Sequence, residues 1–103
     1  MPTYFHVAPA AARDSIASEG LRVEGADYYE EQQPGVYAWT SETSAIRCLC
    51  EYEAIGEVPF EIWAIDAERD WPLDPLTASG VWNAEAVPPE RLTLIAPAGW
   101  VED

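Results

Sequence analysis

The sequence predicts one small α+β domain over residues 1–103, built from a largely antiparallel sheet and two helices. The chain has 103 residues, enough for a single core, and its apolar content of 49% is too high for a disordered protein. Stretches with the alternation of strands are interleaved with two stretches of helical spacing, and the last strands follow one another directly. That order of elements is typical of an α+β fold.

The first third of the chain predicts a strand, a helix and a surface loop. Residues 3–7 alternate and are rich in aromatic side chains, as in a strand. Pro9 suits the first turn of the helix that follows, and Gly20 before an apolar residue is a signal that ends a helix. Residues 21–23 are expected to form a short strand. Residues 24–35 have no period and are expected to form a loop.

The remaining two thirds predict a strand, a helix and three more strands. Residues 36–39 form a buried strand, after which either Thr40 or Ser41 caps a helix that ends at Gly56. Ala45, Ile46, Leu49 and Cys50 are expected to form the apolar face of that helix. The next strand alternates apolar residues on both faces, which indicates a strand covered on both sides. The last strands are predicted over 59–65, 81–87 and 91–95.

The charge balance is strongly acidic. The chain has 19 acidic residues, five arginines and no lysine, which gives a net charge of −14. A nucleic-acid binder needs basic groups that displace the counterions of the phosphates, so binding of nucleic acid is not expected. The charge keeps a small protein in solution, and it also suits a basic protein partner or mimicry of nucleic acid.

The cysteines and the hydropathy indicate the compartment. Cys48 and Cys50 lie two apart in a predicted helix and face different directions, so they cannot pair, and both are expected to be buried, reduced thiols. No cluster of histidine and cysteine predicts a metal site. No apolar run approaches the roughly 20 residues of a membrane span. A soluble, cytoplasmic protein without membrane contact is therefore expected.

Three predicted strand edges carry polar or aromatic side chains that could face one pocket for a flat ligand. They are Tyr-Phe-His-Val-Ala-Pro at 4–9, Gly-Val-Tyr-Ala-Trp-Thr at 35–40 and Ser-Gly-Val-Trp-Asn-Ala-Glu-Ala-Val-Pro-Pro-Glu-Arg-Leu at 79–92. In this order they resemble the NAD-binding lobe of the ADP-ribosyltransferase superfamily, and the third is similar to the Gly-Val-Trp…Val-Pro-Pro segment of the RNA 2'-phosphotransferase branch. The resemblance extends over residues 3–95. It implies a split antiparallel sheet, NAD as cofactor and ADP-ribosyl transfer to an unknown acceptor.

The resemblance also implies roles for individual residues. His6 would hydrogen-bond a ribose, and Tyr37 would contact the nicotinamide, a task that suits a flat ring. Cleavage of the nicotinamide bond passes through a cation-like sugar, which a carboxylate stabilises. Glu85 has the right chemistry for this third catalytic role, but the alternation of the predicted strand places Asn83 on the same face, so either residue could face the pocket. Asn83 would bind ribose.

The pyrophosphate of NAD requires positive charge near these segments. Arg13 and Arg22 lie near the first segment and Arg47 lies on the second helix, although each could equally be a surface ion-pair partner. The RNA 2'-phosphotransferases carry an additional lobe with an Arg-His pair and further arginines that grip RNA phosphate. Because this chain has no arginine near residues 79–82, removal of an RNA 2'-phosphate is not expected.

An alternative function of a different class is non-catalytic binding of a basic protein by the same fold, as an inhibitor or host-interaction protein. Tyrosines among acids in the 24–35 loop suit such a contact. Convergent polar groups in a pocket would favour an enzyme, whereas a pocket filled by Trp39 or Trp82 would favour a binding protein. The predicted contact patch consists of Asp27, Tyr28, Tyr29, Glu30 and Glu31.

Overall fold

A five-stranded antiparallel sheet organises the structure, which is a computed structural model. The structure describes residues 2–22, 35–56, 59–73 and 80–96. Within these ranges the strand order is β4-β2-β1-β3-β5, and two α-helices accompany the sheet. The predicted small α+β fold is thereby confirmed. The elements are β1 (Thr3–Pro9), α1 (Arg13–Glu19), β2 (Val36–Trp39), α2 (Glu42–Gly56), β3 (Phe60–Asp66), β4 (Gly80–Asn83) and β5 (Leu92–Ala96).

The ladders on the two sides of the central strand β1 differ in length. On one side β1 pairs with β3 along its whole length, from Thr3 opposite Asp66 to Pro9 opposite Phe60. On the other side the registered partners of β1 and β2 are limited to Phe5 and Trp39. The sheet therefore consists of a β2–β4 pair and a β1–β3–β5 group that meet over a short ladder.

Apolar residues cover both faces of the sheet, as the two-sided pattern of the third strand predicts. We call the face that packs with Ile16 of α1 the first face, and the face that packs with Ala45 and Leu49 of α2 the second face. Burying an aliphatic side chain contributes roughly 1.5–3 kcal/mol, so the two clusters hold the sheet between the helices. The first face includes Tyr4, Ala8, Val36, Ala38, Trp63, Ile65 and Val81, and the second includes Phe5, Val7, Trp39, Phe60 and Ile62.

The first helix begins later than predicted and ends where predicted. Pro9 is still the last residue of β1, and a 3-10 turn over Ala10–Ala12 precedes α1. Gly20 ends the helix with a φ of 78°, and its N–H donates to the Ile16 carbonyl at 2.9 Å. The expected strand at 21–23 is reduced to an isolated bridge between Leu21 and Val87 within the described residues.

The second helix has the predicted cap and end. The Ser44 N–H donates to the Ser41 hydroxyl oxygen at 3.2 Å, so Ser41, not Thr40, is the cap. Cys48 is buried as expected, whereas the expectation of a buried Cys50 is wrong because Cys50 lies on the exposed side of α2. Among the described residues, no helix combines the length and the apolar content that crossing a membrane requires.

The fourth strand is shorter than the predicted strand over 81–87. It ends at Asn83, whose side-chain amide donates to the Glu85 carbonyl at 2.8 Å. Such a bond from a side chain to the nearby backbone favours a bend over continued strand. Val87 returns only as the isolated partner of Leu21. The last strand begins one residue late, after a 3-10 turn over Pro89–Arg91.

Candidate functional site

His6 has a defined tautomer at the centre of the sheet. Its Nδ1 lies 2.6 Å from the backbone oxygen of Tyr37. Burial lowers the pKa of His6 despite the opposing effect of this hydrogen bond, so the imidazole is neutral at pH 7. Because a carbonyl can only accept, the proton of the neutral ring lies on Nδ1. Nε2 therefore carries a lone pair and is a hydrogen-bond acceptor.

The short ladder between β1 and β2 explains why the ring takes this position. The two strands are registered at Phe5 and Trp39, and Tyr37 precedes Trp39 in β2 by two residues. The imidazole of His6 supplies a hydrogen bond to Tyr37 that the ladder does not provide there. This bond is a structural role for His6, since it fastens β2 to β1 where their backbones are no longer registered.

Trp63 lies beside His6 and carries an unused donor. The two residues are direct partners in the β1–β3 ladder, so their side chains share the first face. The indole Nε1 is buried and has no hydrogen-bond partner within the described residues. An unsatisfied buried donor costs about 1–3 kcal/mol. This donor is enclosed in the core, so Trp63 offers no exposed hydrogen-bonding group beside His6.

The ring of Tyr37 lies on the other face of the sheet. Val36 and Ala38 belong to the first face, so the alternation of β2 places Tyr37 and Trp39 on the second face. There the Tyr37 ring stacks against Trp82 of β4, with centroids 6.3 Å apart and planes 21° apart. The structure therefore brings the backbone of Tyr37 to His6, but not its ring.

Asn83 and Glu85 have different surroundings. Asn83 is only 7% exposed, and its side-chain oxygen accepts a hydrogen bond of 2.7 Å from Nη2 of Arg69. Its amide nitrogen holds the Glu85 carbonyl, so both ends of the Asn83 side chain are used. Glu85 is exposed and follows the end of β4. Neither residue is on the central strands with His6, because β2 lies between β4 and β1.

Two of the arginines that the sequence suggests for pyrophosphate face carboxylates. The Arg13 Nε lies 3.1 Å from both carboxylate oxygens of Glu61, and its Nη2 also contacts that group. These hydrogen bonds raise the pKa of Arg13. The Arg22 Nη2 lies 3.6 Å from Glu19 at the surface. Arg47 is exposed on α2, behind the second face.

Glu61 is a buried charge that is not among the site residues predicted from the sequence. Its side chain is fully buried on β3, on the same face as Trp63. A carboxylate in such a place requires a cation or several hydrogen bonds, and Arg13 of α1 supplies the cation. The sequence does carry a signal for this pair, which is a glutamate within a strand predicted to be covered on both sides. A carboxylate in such a strand is buried and requires a cation or hydrogen-bond donors.

A cavity of about 190 Å³ opens beside the first face, away from His6. Two segments border it: one follows β3 and the other connects β4 to β5. Arg91 joins them, because its guanidinium contacts the Glu68 carboxylate and donates to the Asp66 carbonyl at 3.0 Å. The residues of the cavity that matter below are Glu68, Arg69, Trp71, Asn83, Glu85 and Arg91.

Comparison with known proteins identifies no family for this chain. No protein-family model, no curated protein and no solved structure matches the chain. The resemblance to ADP-ribosyltransferases therefore depends on the three short segments and on the side chains they carry. The predicted protein-binding patch at 27–31 lies outside the described residues, and its role stays a prediction.

Proposed function

We propose that this domain binds a nucleotide of the NAD type through a ribose hydroxyl at His6, without transferring ADP-ribose. The observation that carries the proposal is the tautomer of His6. Its Nδ1–H is held by the Tyr37 carbonyl, and its Nε2 has no partner within the described residues.

The remaining groups fit NAD binding only in part, which is why the proposal stops at binding. The ring expected to contact nicotinamide, Tyr37, lies on the second face against Trp82. Glu85 is exposed beyond the end of β4, where it cannot share the buried surroundings of His6. Electrostatic stabilisation of a sugar cation requires a carboxylate held at the reacting carbon. The described residues therefore support a ligand contact and no step of transfer.

Replacing His6 with asparagine separates its two roles. The Asn amide nitrogen can occupy the place of Nδ1 and keep the bond to Tyr37, but asparagine has no group at the place of Nε2. We expect H6N to remain folded and to bind NAD about twofold to tenfold more weakly than the unsubstituted protein, as loss of one neutral hydrogen bond implies. Calorimetric titration with NAD measures the affinity, and thermal unfolding reports the fold.

Ser18→Ala, at an exposed position on α1, is the matched control and should leave the NAD affinity unchanged. A second assay measures release of nicotinamide from NAD over hours. No NAD affinity in the unsubstituted protein, or equal affinity in H6N, would refute the contact at His6. Nicotinamide release that depends on Glu85 would show that the domain cleaves the nicotinamide bond of NAD and that the proposal is wrong on catalysis.

The charge favours a second candidate function, which is binding of a basic protein. The net charge is −14, and three arginines, Arg13, Arg22 and Arg91, already face carboxylates of the described chain. Little positive charge is left to meet nucleic acid, whereas a basic partner would be attracted over long range. The proposed contact is the acidic, tyrosine-bearing segment 27–31.

Neutralising Glu30 and Glu31 to glutamine should slow association with a basic protein more than neutralising Glu102 and Asp103 does. Each double substitution removes two negative charges, so the comparison isolates the effect of their position in the chain. Association should also slow as salt rises, because attraction is screened beyond about 8 Å at 0.15 M ionic strength. Stopped-flow or surface-based kinetics measure these rates. Equal slowing by the two double variants, or tight salt-insensitive binding to RNA, would contradict the proposed contact.

A further inference from the structure

The cavity beside the first face lies between two segments, one that follows β3 and one that connects β4 to β5. The segment after β3 passes Trp71, whose N–H donates to the Tyr4 hydroxyl at 3.0 Å, and reaches the edge of the sheet where Leu73 bridges to Val81. The segment after β4 returns toward β5 and is fixed at Val87 by the bridge to Leu21. Both ends of each segment are thus anchored, and the space between them is built into the fold.

Arg69 is oriented at this cavity by a buried neutral group. Its Nη2 donates to the side-chain oxygen of Asn83 at 2.7 Å, and Asn83 is itself fixed through its bond to the Glu85 carbonyl. A guanidinium has five N–H donors, so four remain after this bond. No carboxylate of the described residues lies within ion-pair distance of Arg69, although the chain is strongly acidic. Its charge is thus not neutralised by an internal pair.

Among the charged residues that line the cavity, Arg69 is the cation that can contact a ligand. Arg91 is engaged by the Glu68 carboxylate and the Asp66 carbonyl. Asp66 and Glu85 also line the cavity, and because both are exposed, their carboxylates can stay in water. A volume of about 190 Å³ is smaller than the pockets that enclose whole nucleotides or drug-sized molecules. The cavity therefore suits one small group.

We propose that this cavity is a binding site for an oxyanion, a phosphate or carboxylate group, held by the guanidinium of Arg69. The planar fork of arginine matches such groups in geometry and charge, and Asn83 fixes the fork before the ligand arrives. The site is separate from His6, which does not line the cavity, so it stands independently of nucleotide binding. The carboxylates of Asp66 and Glu85 oppose the anion and limit its affinity.

The test is a titration of ¹⁵N-labelled protein with inorganic phosphate and, separately, with acetate, at constant ionic strength. We expect saturable shifts in the amide signals of 66–71 and 83–91 at millimolar concentration. R69Q, which can still donate to Asn83, should weaken binding about tenfold or more, as loss of a charged hydrogen-bonding group implies. R47Q removes the same charge from an exposed position on α2, which covers the second face, and should bind as the unsubstituted protein does.

A third variant guards against a folding defect in R69Q. E85Q removes an exposed carboxylate from the opposite side of the cavity and should bind the anion about twofold more tightly. A response to phosphate alone or to acetate alone identifies the group that the site takes. Absence of saturation with both anions, equal binding in R69Q, or equal weakening in R47Q would overturn the proposal. Unchanged affinity in E85Q would contradict its electrostatic basis.

Discussion

Replacing Arg13 with methionine should destabilise the domain far more than replacing its partner Glu61 with methionine. The two side chains form one ion pair between α1 and β3, but they are not equally buried: 44% of the Arg13 side chain is exposed, against 0% for Glu61. Without Arg13, the carboxylate loses its cation inside the protein. Without Glu61, the guanidinium can remain hydrated at the surface. The pair is therefore asymmetric in burial.

The expected size of the effect follows from the burial of Glu61. A buried carboxylate that loses its partner costs about 3–5 kcal/mol, a large fraction of the roughly 5–15 kcal/mol that stabilises a domain. Urea unfolding at pH 7, followed by tryptophan fluorescence, measures the change in free energy of unfolding. Arg22→Met is the matched control, because its pair with Glu19 is solvent-exposed and should contribute little.

The double variant R13M/E61M decides between charge and packing. If the loss in R13M comes from the buried charge of Glu61 without its arginine, removing that charge as well should restore stability, since apolar pairs can replace buried ion pairs without loss. A double variant as unstable as R13M would mean that the aliphatic part of Arg13 mattered instead. Equal losses in the two single variants would contradict the asymmetry.

Elements with strong local signals could be predicted from the sequence, and those that depend on distant partners could not. The strand at Val36–Trp39 and the helix end at Gly56 follow from alternation and from a terminal glycine. The end of β4 at Asn83 was missed because continued alternation through Glu85 hid a side-chain bond that bends the backbone. The pair of Arg13 and Glu61 was missed because its members lie 48 residues apart.

The positions of His6 and Tyr37 show that the alternation of residues along a strand does not predict which side chains of two strands meet. Alternation gives the two faces of each strand separately, but only the register between strands says which faces coincide. Here Phe5 lies opposite Trp39, so odd-numbered residues of β1 and β2 share a face and the rings of His6 and Tyr37 are separated by the sheet. A slip of one residue would have placed them on the same face. Nothing in the sequence fixes that register.

Gly20→Ala should be the most damaging substitution of a small residue in the described part of the chain. Gly20 has a φ of 78°, which side chains rarely adopt, and a Cβ there would lie 2.0 Å from the Val87 carbonyl oxygen and 3.0 Å from backbone atoms of the following prolines. These neighbours are backbone and cannot rotate away. The carbonyl is also fixed, since it accepts from the Leu21 N–H at 2.9 Å. Relief therefore requires breaking the bridge between Leu21 and Val87.

We expect Gly20→Ala to cost about 2–4 kcal/mol, from backbone strain together with loss of that bridge. Ala17→Gly is the matched control, because it makes the reverse change at an exposed position of α1 and should cost only about 0.5–1 kcal/mol through helix propensity. Amide exchange at Leu21 and Val87 provides a local measurement and should quicken in Gly20→Ala alone. Since Val87 anchors the segment that borders the cavity, the same variant should also weaken phosphate binding. A loss no larger than that of Ala17→Gly, with exchange unchanged, would mean that the bridge does not hold this segment in place.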